Sequence, residues 1–223
     1  MVIVLIGILC SRDVRDLSPF RLQDGETMGR HREFDPDEAL SIALQVFRRR
    51  GYEGTSISDL TEAMGITRPS LYAAFGNKEE LFRRTLDLYE RRHLCFAHEA
   101  LQAPTARESV ERLLRGYVDV LTDPTSPPGC LGVNGAVACS AENEAIREEL
   151  VTRRMVNENN LRERLDKARS DGDFPSDEDP ADWARYIVSV GLGMAVRAAS
   201  GASREELHRV VDVAMRTWPT RTR

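Results

Sequence analysis

A chain of 223 residues is long enough to bury a real core, as one large domain or two small ones. Its 41% hydrophobic and 30% charged residues are those of a soluble globular protein, and a net charge of -5 argues against non-specific coating of nucleic acid while leaving a local basic surface open. The four cysteines, Cys10, Cys95, Cys130 and Cys139, form no C-x-x-C pair, which speaks against a zinc ribbon or a disulfide framework and for reduced thiols in a cytoplasm.

Met1 to Cys10 is a near-continuous apolar run. It is too short for a hydrocarbon core that needs about 20 helical residues, and it lacks the basic flank of a signal peptide. No membrane partner is therefore expected. Ser11 to Thr27 is charged and loop-like, and organised patterning begins at Met28. Residues 1–27 read as a disordered extension, or as a segment upstream of a biological start at Met28.

From Phe34 onward the pattern is helical. Asp35-Pro36-Asp37-Glu38 places a capping Asp, a Pro at the first helical position and a Glu at the third, followed by Ala39, Leu40, Ile42, Ala43, Val46 and Phe47 at helical spacing. Gly51 ends this helix after Arg48-Arg49-Arg50, which favour the negative end of the dipole and read as a solvated helix end. Ser56 caps a second helix running to about Met64, Thr67 caps a third, and Gly76-Asn77 closes that one and opens a fourth expected to pass Cys95. Thr105 to Leu121 follows with Val110, Leu113, Leu114, Tyr117, Val118 and Leu121 on one face. Asp123 to Gly135 is a breaker-rich loop with a short helical piece expected after it. Ser140 to about Arg169 is a long charged helix. Asp179-Pro180 starts another through Ala199, and Ser203 with Glu206 caps the last, which ends before Pro219. With no useful alternating pattern and no internal repeat, the fold class is all-α.

The segment from Thr55 to Leu81, T-S-I-S-D-L-T-E-A-M-G-I-T-R-P-S-L-Y-A-A-F-G-N-K-E-E-L, has the form of a helix-turn-helix. Gly65 supplies a left-handed turn, and Leu60, Ile66, Leu71 and Phe75 can form the small core that fixes the helix angle. That leaves Thr67, Arg68, Pro69, Ser70 and Tyr72 on or near the outer side. Arg68 can donate two bonds to guanine, Pro69 offers only an apolar contact, and the hydroxyls of Thr67, Ser70 and Tyr72 suit phosphate oxygens or base edges. Lys78 lies in the first turn of the fourth helix, where backbone N–H groups also face an anion. Ser56 and Thr67 read equally as plain caps or as caps that also touch DNA.

The stretch Gly29 to Leu81 resembles the DNA-binding domain of the TetR family of bacterial transcriptional repressors. The resemblance rests on Phe47, Gly51-Tyr52, Gly54-Thr55-Ser56, Asp59-Leu60, Ala63-Met64-Gly65-Ile66-Thr67, Ser70-Leu71-Tyr72, Phe75, Lys78-Glu79 and Leu81. It implies a DNA-binding domain over residues 28–76 and a helical ligand-binding and dimerisation domain over 77–223. It further implies backbone clamping by Thr55 or Ser56, Tyr72 and Lys78, and a basic arm around Arg30 that reaches the minor groove. The implied partners are a pseudo-palindromic duplex operator, a second copy of the chain and an unidentified small-molecule effector, with no cofactor. Candidate pocket residues are Leu114, Tyr117, Val118, Leu121, Met155 and Met194. The last two helices would form the dimer interface through Trp183, Ile187, Val190, Leu207, Val210 and Val211, with the mid-helix Gly191 and Gly193 permitting close approach.

His93, Cys95 and His98 do not share one helical face, so no metal site is assigned. Cys130 and Cys139 flank the Gly-rich loop and leave open a thiol- or metal-responsive regulator of the same fold. No catalytic signature is present, so an enzyme would have to be a helical one without a recognisable motif.

Overall fold

Each start signal in the sequence becomes a hydrogen-bonded cap in the folded chain. The computed structural model describes residues 34–134 and 141–219. Among the described residues the elements are α1 (Pro36–Arg50), α2 (Ile57–Met64), α3 (Arg68–Phe75), α4 (Lys78–His93), α5 (Phe96–Leu101), α6 (Ala106–Leu121), α7 (Leu131–Asn134), α8 (Glu144–Ser170), α9 (Pro180–Ala199) and α10 (Arg204–Arg216), with a 3-10 turn at Ala141–Asn143. Asp35 accepts from the amide of Asp37 at 2.9 Å ahead of Pro36. Reciprocal capping boxes start α4 at Asn77 and Glu80 and α10 at Ser203 and Glu206.

α1, α2, α3 and the first half of α4 share one core. The Phe47 ring meets the Phe82 ring edge-on at 4.9 Å, and Tyr52 meets Phe82 at 5.0 Å. In the C-terminal region α6 lies at the centre, packed by α5, α9 and α10. Phe174, Trp183 and Trp218 close the far end, each ring edge-on to the other two. Arg153 of α8 ties that helix to α4, reaching Asp87 at 2.7 Å and Glu90 at 2.8 Å while its Nε bonds Glu149 at 2.7 Å.

Two sequence expectations are corrected. α4 does not run past Cys95: it stops at His93, and Cys95 precedes the separate helix α5. The break lays Phe96 across Gly116 of α6, where an added Cβ would stand 2.5 Å from the ring, so the redirected chain depends on a bare backbone there. A short helix, α7, lies within the breaker-rich segment itself, and the 3-10 turn at Ala141–Asn143 follows it. Arg48 is not solvated: it is 2% exposed, its Nη2 donates to the carbonyls of Pro127 at 2.8 Å and Gly129 at 3.4 Å, and its guanidinium sits 5.4 Å from the Tyr89 ring centre. It follows Phe47 on the inward side of α1 and fastens that helix to the loop ahead of α7. Among the described residues no helix is long and apolar enough to cross a membrane.

Candidate DNA interface

The turn between α2 and α3 sets the geometry of the interface. Ser56 caps α2 by accepting from the amide of Asp59 at 3.1 Å, and Asp59 returns the bond by accepting from the Ser56 amide at 2.8 Å. Asp59 also pairs with Arg50 of α1. The Ser56 amide first, then the Ser56 hydroxyl and Arg50, hold the Asp59 carboxyl down at about 2. Gly65 ends α2 at φ 67°, ψ 28°, with open space where a side chain would stand. The backbone conformation, not crowding, is what asks for glycine there. Leu60, Leu71 and Phe75 are buried behind this turn, which fixes the angle at which α3 leaves it.

The outer side of α3 carries the residues read from the sequence. Thr67 caps the helix by accepting from the Ser70 amide at 3.3 Å, and the two hydroxyls share a bond at 2.8 Å. Arg68, Pro69 and Tyr72 are exposed, Tyr72 by 50%. Lys78 is half-buried, its ammonium 4.2 Å from the Tyr52 ring centre. Burial lowers its pKa, against the pull of Glu53, which raises it.

Two details lay beyond sequence reading. Thr55 and Ser56 point opposite ways: Thr55 is 2% exposed and its hydroxyl donates to the Gly51 carbonyl at 2.7 Å, while Ser56 is exposed. Ser58, on the outer side of α2, accepts a 2.6 Å bond from Nη2 of Arg68. Only the helix-turn-helix geometry brings those two together, since ten positions separate them in the chain. Arg30 lies outside the described residues.

The C-terminal candidates divide by depth. Leu114, Val118, Leu121 and Met194 are buried, and the Tyr117 ring packs 3.6 Å from where a Cβ on Gly191 would stand. A Cβ on Gly191 would thus make only ordinary contact inside the chain, and Gly193 faces open space. Met155 is 59% exposed and lines no interior site. It stands five residues on from the inward Leu150, about 140° round α8. Ile187, Leu207 and Val211 are buried in the chain's own core, while Trp183, Val190 and Val210 are half-buried. The exposed large apolar residues on α9 and α10 are Tyr186, Val196 and Val213. A surface hollow of about 400 Å³ is lined by Asp182, Trp183, Tyr186 and Thr217.

Among the described residues no three His, Cys, Asp or Glu side chains gather as a metal site. The His93 ring lies tilted against the Tyr89 ring with centres 5.2 Å apart, and burial lowers its pKa. Cys130 is buried, and Cys139 lies outside the described residues.

Comparison with known proteins agrees with this geometry. Residues 39–85 match the family model described as bacterial regulatory proteins, tetR family, and residues 106–217 match the tetracyclin repressor-like C-terminal domain. The HTH-type transcriptional repressor ComR of Escherichia coli strain K12 is 35% identical over 198 residues, covering 87% of this chain and 93% of ComR. A cysteine-substituted variant of the TetR family regulator CifR, solved with 26-bp double-strand operator DNA, is 44% identical with a TM-score of 0.82, covering 85% of this chain and all of that one. A TetR regulator from Rhodococcus sp. RHA1 is 42% identical with a TM-score of 0.57, covering 82% of this chain and 98% of that one. The chain belongs to the TetR family of bacterial regulatory proteins and is a DNA-binding transcriptional regulator.

Proposed function

We propose that the protein acts in the cytoplasm as a homodimer that holds a pseudo-palindromic operator through two copies of α3 and is released by a small-molecule effector taken up by the C-terminal helices. The observation that carries the dimer is the apolar outer face of α9 and α10: Tyr186, Val196 and Val213 are exposed there beside the half-buried Trp183, Val190 and Val210. Large apolar side chains left exposed on two adjacent helices suit a self-association surface under two-fold symmetry. In each protomer Arg68 reads base edges with Pro69 beside it, while Ser56, Thr67, Ser70, Tyr72 and Lys78 hold phosphates, with Arg30 in the basic arm. Thr55 supports the turn from inside through its bond to Gly51.

The effector reading rests on how the two parts are joined. Arg48 of α1 is bonded to the loop between α6 and α7, so a change of packing around Tyr117, Leu114, Val118, Leu121 and Met194 has a direct route to the DNA-binding helices. An effector must bind one arrangement of the dimer better than the other, and operator release follows from that difference alone.

The test is selection from a random duplex library followed by footprinting and sedimentation. Two protected half-sites about one helical turn or a multiple apart, bound by two protomers, are expected. A single half-site bound by one protomer would overturn the dimeric reading.

A further inference from the structure

Arg68 stands at the first position of α3 and Ser58 in the first turn of α2, both exposed on the outer side of the helix-turn-helix. The turn at Gly65 brings them within 2.6 Å, Arg68 Nη2 donating to Ser58 Oγ. We propose that Ser58 is a positioning residue for base reading: its hydroxyl holds the Arg68 guanidinium in the orientation presented to the major groove, so that preference at one operator base pair is set jointly by α2 and α3. The inference rests on the reading of Arg68 as a base-contacting residue.

The chemistry favours this division of labour. An exposed arginine has many rotamers to lose when it docks, and that loss reduces binding. A bond to a neighbouring hydroxyl removes part of the freedom before DNA arrives. It uses one of five N–H donors and leaves enough for a bidentate contact to guanine. The partner's neutrality matters as well. A carboxylate at position 58 would neutralise the guanidinium and repel phosphate, whereas serine fixes its direction and leaves its charge to the DNA. Ser58 itself has no fold to maintain at that end of α2, because the cap is made by Ser56 and Asp59.

The experiment takes the full chain and an operator selected from random duplex DNA, and measures binding to every single base-pair variant for the natural protein, Ser58→Ala, Ser58→Thr and Arg68→Ala. Ser58→Ala lies at an exposed helical position where alanine is well tolerated, so folding is preserved. The expected result is a loss of about 3- to 10-fold in discrimination at the same base pair where Arg68→Ala loses its preference, with other positions unchanged. Ser58→Thr, which keeps the hydroxyl, restores it. An unchanged preference profile in Ser58→Ala overturns the proposal, as does a uniform loss at all positions, which marks a direct phosphate contact. If Arg68→Ala keeps its full base preference, the reading of Arg68 fails first and the role of Ser58 with it.

Discussion

Adjacent hydroxyls at Thr55 and Ser56 do different work, and the difference is a matter of which way each side chain leaves a short irregular segment. Helical periodicity tells inward from outward within α1, but positions 51–56 have no period to read, so the two looked interchangeable in the sequence. In the folded chain Thr55 closes the loop onto Gly51 from inside. Thr55→Val is therefore expected to lower unfolding stability by about 1 kcal/mol in denaturant titration and to leave the affinity of the folded protein for its operator unchanged. Lys78→Ala provides the contrast: affinity should fall for all sequences, with the slope of log affinity against log salt reduced by about 1. Weaker operator binding by Thr55→Val at full stability would return that residue to the interface, and an unaltered salt slope for Lys78→Ala would remove Lys78 from it.

At the scale of elements, starts were more legible than ends, because a cap is a local device. Asp35, Ser56, Thr67, Asn77, Thr105, Asp179 and Ser203 each accept the backbone bond expected of a helix cap. The end of α4 was not legible, since it depends on Phe96 meeting Gly116 some twenty residues later. The burial of Arg48 escaped for the same reason, its partners lying in the loop ahead of α7. The cap of α2 also has a pH signature. The Asp59 carboxyl is depressed from the ordinary 3.8 to about 2, so what it contributes to stability is fully present above about pH 4 and is lost as pH falls through 2. Asp59→Asn, which can still accept from Ser56 but carries no charge, is expected to show a shallower decline of Tm between pH 4 and pH 2 than the natural chain. Parallel declines in the two proteins would mean that the ionised cap and its pairing with Arg50 do not support the helix-turn-helix.

For the whole molecule, the question is which apolar residues of α9 and α10 hold one chain together and which join two. The periodic pattern marks both helices as rich in apolar residues, but it cannot say which side of a helix flanked by partners on two faces meets which partner. Depth in the fold separates them: Ile187, Leu207 and Val211 are in the protomer's own core, and Tyr186, Val196 and Val213 are outside. The two sets should respond to mutation in opposite ways. Val196→Asp and Val213→Asp place a charge on a surface that tolerates it in the monomer but must desolvate it in the proposed dimer. Each is expected to yield a folded monomer by sedimentation, with native far-UV circular dichroism and operator affinity reduced at least about 100-fold, because two linked half-sites bind with an effective concentration that a lone protomer lacks. Leu207→Ala instead creates a cavity and should cost about 2–5 kcal/mol of stability, whether or not dimers form. Dimers that persist in both aspartate variants would show that this face of α9 and α10 is not where two copies meet, and the apolar patch would then need another partner.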